Sequence, residues 1–406
     1  MQQLLELIKD PSQIGPWFHD LLMSLGLSVE LASVVGDVLG VLLLLIMVLT
    51  SAIFLIWLER KVAARLQDRV GPNRAGPYGL LQTMADIVKL LTKEDITPVG
   101  ADRVSFNLAP ALSVMQIIMV AAIIPIGAGV VAVNLNVGLL YFVAFSGLAA
   151  MGALMAGWSS NNKYALLGGF RVVAQLLSYE VPLIFTLLAV VLLAGTMNTN
   201  DLAAAQGVRY FGFIPGWYAL LMPFAFVIFF VAALAEGERA PFDLLEAESE
   251  IVAGFNIEYS GMKFAWFFLQ FFVNSLILSA LAATIFLGGW QGPFVDQVPV
   301  LGIVYFGIKT TLVLFALMWV RATYPRLRID QMMTFCWKVL VPASLVVVLL
   351  AAVIWKLPVS ANIRALLLSG SNIVALVVTL GIIGSRLRKR VDRRQDALNA
   401  ASAASA

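Results

Sequence analysis

The residues best suited to chemistry crowd into one short stretch. Between Ala235 and Tyr259 stand Glu236, Glu238, Asp243, Glu246, Glu248, Glu250 and Glu258, and the cations facing these seven carboxylates are only Arg239 and, just beyond, Lys263. On a helix Asp243, Glu246 and Glu250 share one face, where like charges repel by ~0.2–0.5 kcal/mol per pair even in water. A lower dielectric strengthens the repulsion, so such groups hold or share protons near neutral pH, as a proton relay requires. Glu236 and Glu258 border apolar runs and favour that reading. For Glu246 and Glu248, solvation or contact with a partner explains the charge equally well. A solvated acidic loop docking a basic partner is the competing account of the whole stretch, but it leaves the apolar flanks Ile251, Val252, Phe255 and Ile257 unexplained.

Three further segments carry charge at the edges of apolar runs. Glu59-Arg60-Lys61 is followed by Asp68-Arg69-Val70-Gly71-Pro72-Asn73 and Gly76-Pro77-Tyr78-Gly79, whose glycine-proline pairs force turns. Leu80, Leu81, Met84, Ile87, Val88 and Leu91 then fall on one helical face, with Gln82, Asp86, Lys89 and Lys93 on the other, predicting an amphipathic helix along a membrane surface. A basic lipid anchor is the alternative; Glu59, Asp68, Asp86, Glu94 and Asp95 argue against it by nearly cancelling the charge. Arg171, Gln175 and Glu180 enter or border a long apolar run. A charged group at mid-helix there costs ~2.5–3.5 kcal/mol and is normally functional. The alternative places Glu180 near the headgroups, paired with Arg171. Arg321, Arg326 and Arg328 either satisfy the positive-inside bias or meet carboxylates, which arginine grips bidentately. Lys309, inside an apolar run near its end, reads as a snorkelling cation.

Other chemistry is excluded by composition. His19 and Cys336 are the only histidine and cysteine, so no cysteine cluster exists to hold iron and sulfur, a zinc site is starved of ligands, and any electron carrier belongs to a partner. Gly127, Gly129 and Ala132 fit a dinucleotide fingerprint but lie in an apolar run beside Pro125, without the strand and water-facing helix that it needs. Ser146, Gly147, Ala150, Gly152 and Ala156 read as close helix packing.

The elements that position these groups follow from hydropathy. With 61% hydrophobic and 13% charged residues and a mean hydropathy of +0.91, the chain is a membrane protein. In hydrocarbon each backbone polar group must pair within its own segment, so apolar runs of ~20 residues are spanning helices. About nine are present on that rule, near residues 36–58, 108–133, 138–157, 172–195, 216–235, 264–290, 300–320, 335–355 and 366–384. None alternates as a barrel strand would. The expected fold is an all-α polytopic membrane bundle with a cytoplasmic-side amphipathic helix. Lys and Arg concentrate in every second loop and in the tail, Arg60 to Arg103 following the first helix, which predicts an outer amino terminus and a cytoplasmic carboxyl terminus. Residues 1–35 read as an outer-face interfacial segment, 36–356 as the main membrane domain, and 357–406 as an extra helix with a basic tail. An ion transporter is a further alternative, although no repeat relates the two halves.

Together the charged segments resemble the H-subunit family of complex I, the membrane component of NADH:quinone oxidoreductase that forms the quinone channel beside the hydrophilic arm. The resemblance covers Gly36 to Pro342. It rests on Glu59-Arg60-Lys61, Arg69-Val70-Gly71-Pro72-Asn73, Gly76-Pro77-Tyr78-Gly79, Arg239-Ala240-Pro241-Phe242-Asp243-Leu244, Gly254-Phe255-Asn256-Ile257-Glu258-Tyr259 and Arg321-Ala322-Thr323-Tyr324-Pro325-Arg326, six motifs in order. It implies quinone as substrate, entering a tunnel between the first span, the amphipathic helix and the sixth span, with Glu59, Arg60, Lys61, Arg69, Asp86, Arg321 and Arg326 as tunnel candidates. It also implies that Glu180, Glu236 and Glu258, with Glu238, Asp243, Glu246 and Glu250, begin a charged path coupling quinone reduction to proton pumping. The implied partners are the other complex I membrane subunits, hydrophilic-arm subunits carrying the terminal iron–sulfur cluster, and membrane lipids, without nucleic acid. The implied location is a bacterial cytoplasmic (inner) or thylakoid membrane, with NAD(P)H or ferredoxin as electron source. The family usually has eight spans, so the ninth lies beyond its pattern. The related membrane component of an energy-converting hydrogenase shares the scaffold and remains the nearest alternative.

Overall fold

A computed structural model describes residues 10–405 except 27, 213, 244–251, 253 and 296; the side chains of 214, 387 and 389–405 are also outside the description. The helices are α1 (Ile14–Ser24), α2 (Val29–Leu66), α3 (Gln82–Thr92), α4 (Arg103–Ala121), α5 (Gly138–Ser159), α6 (Lys163–Ala194) and α7 (Thr199–Ala205). They continue with α8 (Tyr218–Leu221), α9 (Pro223–Glu236), α10 (Gly261–Phe286), α11 (Val300–Thr323), α12 (Ile329–Phe335), α13 (Val341–Trp355) and α14 (Ala361–Ser405). A π-helical turn, Cys336–Leu340, joins α12 to α13. Among the described residues the strands are a two-residue hairpin, Arg209–Tyr210 with Ile214–Pro215.

Among the described residues eight spans are long and apolar enough to cross a membrane, α12, the π-helical turn and α13 counting as one (Ile329–Trp355), and α9 is a shorter apolar helix. The all-α bundle is therefore as expected, but three boundaries differ for physical reasons. Nothing between Gly40 and Gly71 is a glycine or proline, so α2 runs on to Leu66 and carries Glu59, Arg60, Lys61 and Arg65 on its last turns rather than in a loop. Helix α4 stops at Ala121, and the backbone bends through Pro125 and a tight Gly127–Val130 bridge. The fifth apolar run breaks at Met222, because proline disfavours helical backbone in the residue before it. Helix α9 then has 14 residues, or ~21 Å, short of the ~30 Å hydrocarbon core.

Helix α10 is the centre: 83% of its most apolar window is buried, against 17% for α2 and 11% for α14. Around it pack Phe229 and Ile228 of α9, Leu183 and Leu187 of α6, and Leu317 of α11 in one core. The outer helices turn Leu43, Leu312 and Val374 outward, the pattern that lipid demands. Gly152 permits α5 to approach α4 closely, since a Cβ there would lie 3.2 Å from the Ala109 carbonyl. At Gly168 a Cβ would lie 2.5 Å from the Gly254 carbonyl carbon, so only glycine lets the 254–256 turn rest on α6.

The snorkelling assignment of Lys309 is corrected. Its side chain is buried, with Nζ donating to the carbonyls of Gly289 (3.0 Å) and Gln291 (2.7 Å) and lying 4.6 Å from the Trp217 ring centre. The turn after α10 leaves carbonyls without helical donors, and the ammonium meets them more cheaply than water could reach them.

Candidate functional site

Glu59 projects from the last third of α2 into the bundle, and its Oε1 accepts a hydrogen bond from Arg239 and is ion-paired with Arg321. Glu59 and Arg239 are each about 4% exposed or less. Arg239 reaches the site because the chain turns sharply after α9: its amide donates to the Leu234 carbonyl at 2.9 Å, and Glu238 before it takes a left-handed backbone, φ +53°. Its Nε donates to Ser275 Oγ of α10 at 2.8 Å, while the guanidinium lies 4.2 Å from the Phe271 ring centre and 5.1 Å from that of Phe272. Arg321 sits 5.6 Å from the same Phe271 ring. Two guanidiniums thus share one carboxylate against an aromatic wall, with Glu59 and Arg239 closed to water and Arg321 30% exposed at the edge.

A second pair flanks it. Arg326 Nη2 lies 3.2 Å from Asp243 Oδ2, and the Leu327 amide donates to the Pro241 carbonyl at 2.9 Å, so the loop between α11 and α12 is pinned to the turn after α9. Of the two readings open for the arginines, Arg321 and Arg326 both take the one in which they meet carboxylates.

Behind this cluster lie the acids. Gln175 Nε2 of α6 donates to the Ala235 carbonyl at 2.8 Å, and Asn274 Nδ2 of α10 donates to the Glu236 carbonyl at 3.1 Å. These bonds fix the end of α9 against Gln175, ~18 Å along α6 from Lys163 at 1.5 Å per residue. The turn after α9 therefore starts deep in the bundle. Glu236 is buried, and its Oε2 has no hydrogen-bond partner among the described residues. Among the described residues, Glu180 and Glu238 are carboxylates close enough for their charges to act on it. Glu180 Oε1 accepts from Ser146 Oγ of α5 at 3.0 Å, not from Arg171, which lies two and a half turns back on the same helix. Glu180, Glu236 and Glu238 thus lead to Arg239 and Glu59.

Glu258 stands apart from that row. Asn162 Nδ2 donates to it at 2.7 Å, while Asn162 Oδ1 caps α6 by accepting from the Tyr164 amide at 2.9 Å. Glu258 borders an open polar basin of about 490 Å³ with Gly100, Ser160 and Lys163. That basin lies ~27 Å along α6 from Glu180, taken as 18 residues at 1.5 Å each. Glu246, Glu248 and Glu250 fall outside the described residues.

The family model described as NADH dehydrogenase matches residues 39–352. The chain belongs to this family. It is 47% identical over 342 residues to the NADH-quinone oxidoreductase H-subunit of Dehalococcoides mccartyi, covering 84% of this chain and 92% of the relative. To the H-subunit of Geobacillus kaustophilus it is 49% identical over 314 residues, 77% of this chain and 92% of the relative. The H-subunit numbered 2 of Geobacter sulfurreducens is 47% identical over 318 residues, 76% and 93% of the two chains.

In this NADH dehydrogenase family member the amphipathic helix bridges α2 and α10. Arg60 of α2 pairs with Asp86 of α3 at 2.6 Å, Trp57 Nε1 donates to the Tyr78 carbonyl at 3.2 Å, and Ser260 Oγ donates to the Glu94 carbonyl at 3.1 Å. Leu81, Met84, Val88 and Leu91 face outward, as a helix lying on a bilayer requires. Lys61 is half-buried beside Gly71, and Arg69 is exposed and bonded to Gln67 Oε1, so neither joins the Glu59 cluster. Arg239 is the member of this cluster that the sequence reading left off its site candidates. Its signal was present: a lone cation among seven carboxylates is the natural counterion for a buried acid elsewhere. Ser275, Phe271 and Phe272 gave no such signal, being ordinary residues of an apolar run.

Proposed function

We propose that this chain is the membrane subunit of a complex I-type, proton-translocating NADH:quinone oxidoreductase, guiding quinone to its reduction site and starting the charged path to the proton pumps. The observation that carries this reading is the buried Arg239–Glu59–Arg321 cluster standing between the α2–α3–α10 junction and the acid row. An isoprenoid tail gains little on leaving lipid for an apolar tunnel, since its ~25 cal/mol per Å² of transfer was collected on entering the bilayer. Selection therefore falls to the polar head group. Reduction is Q + 2 e⁻ + 2 H⁺ → QH₂, and negative charge developing on the quinone oxygens is stabilised by fixed guanidiniums such as Arg321 and Arg60. The electrons come from an iron–sulfur cluster of a hydrophilic-arm partner; this chain is not catalytic alone.

As charge appears near the guanidiniums, their hold on Glu59 weakens and the proton affinities of Glu238, Glu236 and Glu180 change in turn. In this reading Glu258 gates the polar basin, and Glu246 and Glu250 belong to the same acidic segment. Residues 36–356 form the main body and 357–406 an addition to it. The basic loops face the cytoplasm and the amino terminus faces outward, in a bacterial cytoplasmic or thylakoid membrane. Neighbouring membrane subunits and lipid cover the outer helices.

Purification of the tagged chain from its own membrane tests the reading. An assembly with an NAD(P)H- or ferredoxin-oxidising module, whose quinone reduction falls on Glu59→Ala, is expected. A nickel–iron protein in its place would overturn it in favour of a hydrogenase.

A further inference from the structure

We propose that the cleft between the α12–α13 unit and α14 binds one anionic phospholipid, its phosphate held by Lys338 and Arg386. The cleft encloses about 850 Å³ and both cations line it. Along α14 its wall is Ala375, Val378, Ile382 and then Arg386, positions three and four apart on one helical face. From Ala375 to Arg386 the helix rises ~16 Å, about half of the ~30 Å hydrocarbon core. Opposite, the wall descends from Lys338 through Pro342 to Val346. The cleft is therefore one leaflet deep, apolar within and cationic at the level where headgroups lie.

Two details favour a phospholipid over other occupants. Thr379, the polar residue of the apolar depth, donates its hydroxyl to the Ala375 carbonyl at 2.8 Å, so nothing there awaits a hydrogen bond. Lys338 lies on the π-helical turn, a rare distortion that often marks binding sites, and is exposed at the mouth. A neutral quinone offers no charge to two cations, whereas a phosphate answers both, and basic pockets between spanning helices bind such headgroups. Asp330, also at the mouth, can accept a hydrogen bond from a hydroxylated headgroup such as glycerol, which choline cannot donate.

The test is photolabelling of the intact, reconstituted complex with phosphatidylglycerol bearing a photoreactive acyl chain. Labels on the peptides around Val378 to Ile383 and Val339 to Val346 are expected, with phosphatidylcholine of the same chain labelling about tenfold less. The double variant Lys338→Gln with Arg386→Gln should lose the phosphatidylglycerol label by a similar factor, and Val378→Trp, which keeps both charges, should lose it by filling the cleft. Equal labelling by the two lipids, or an unchanged label in the charge variant, would reduce the cleft to ordinary lipid contact and overturn the proposal. Crosslinking of Lys338 to a helix of a neighbouring protein in the complex would overturn it as well.

Discussion

Glu59 and Arg239, 180 residues apart in sequence, are ion-paired inside the bundle, and Arg321 shares the same carboxylate oxygen. The arrangement is asymmetric: removing the acid takes a counterion from both arginines, while removing Arg239 leaves Glu59 with Arg321. Breaking a buried pair costs ~3–5 kcal/mol, mostly from the charge left behind. Glu59→Gln is therefore expected to destabilise the protein by that amount and Arg239→Gln by less, read as the temperature at which the purified complex releases it. Equal losses would contradict the sharing.

The Arg60–Asp86 pair is of the other kind. Its side chains are 46% and 25% exposed, so its stability contribution is ~0–1 kcal/mol. Arg60→Ala should leave assembly intact and lower quinone turnover severalfold, and Arg69→Ala, exposed and bonded to Gln67, should lower it less. Full turnover in both assembled variants would make these residues surface anchors.

Glutamine keeps the shape of glutamate but cannot take up and release a proton. Glu180→Gln and Glu236→Gln should depress quinone-driven pumping about 10²-fold, the lower end of what a positioned acid–base group supplies. Electron transfer to an acceptor upstream of quinone should continue. Glu258→Gln, ~27 Å along α6 from Glu180, is expected to slow pumping less. Normal proton uptake per quinone in reconstituted vesicles for Glu180→Gln and Glu236→Gln would exclude an obligatory relay.

Helix α14 buries little of itself, though Ala365, Leu368 and Asn372 reach the core. Truncation after Ser360 should lower thermal stability by several degrees while leaving turnover per assembled complex unchanged. Loss of turnover in a fully assembled truncated complex is the contrary result.

Lys309→Met removes the donor to two carbonyls and should cost ~1–3 kcal/mol of stability. The site lies at the opposite end of the bundle from the Glu59 cluster, so quinone turnover per assembled complex should hold. A specific loss of turnover would give Lys309 a role beyond capping.

Much of this was legible in the sequence. Uninterrupted apolar runs fix helices because a bilayer offers the backbone no other partner, and the face of α3 that touches lipid follows from residue spacing alone. The charged segments named the region of the site and the family. What only the tertiary structure decided is which charge meets which. Glu59 could have paired with Arg60 or Lys61 beside it; it pairs instead with Arg239 and Arg321, because α10 stands at the centre and draws α2, α11 and the turn after α9 around one aromatic wall. The dip of that turn depends on a helix broken at Met222 and on the bonds by which Gln175 and Asn274 hold the end of α9. The period of a helix reports which residues share a face. Which distant faces come together is set by burying charge with its counterion, an energy of pairs that a single segment does not carry.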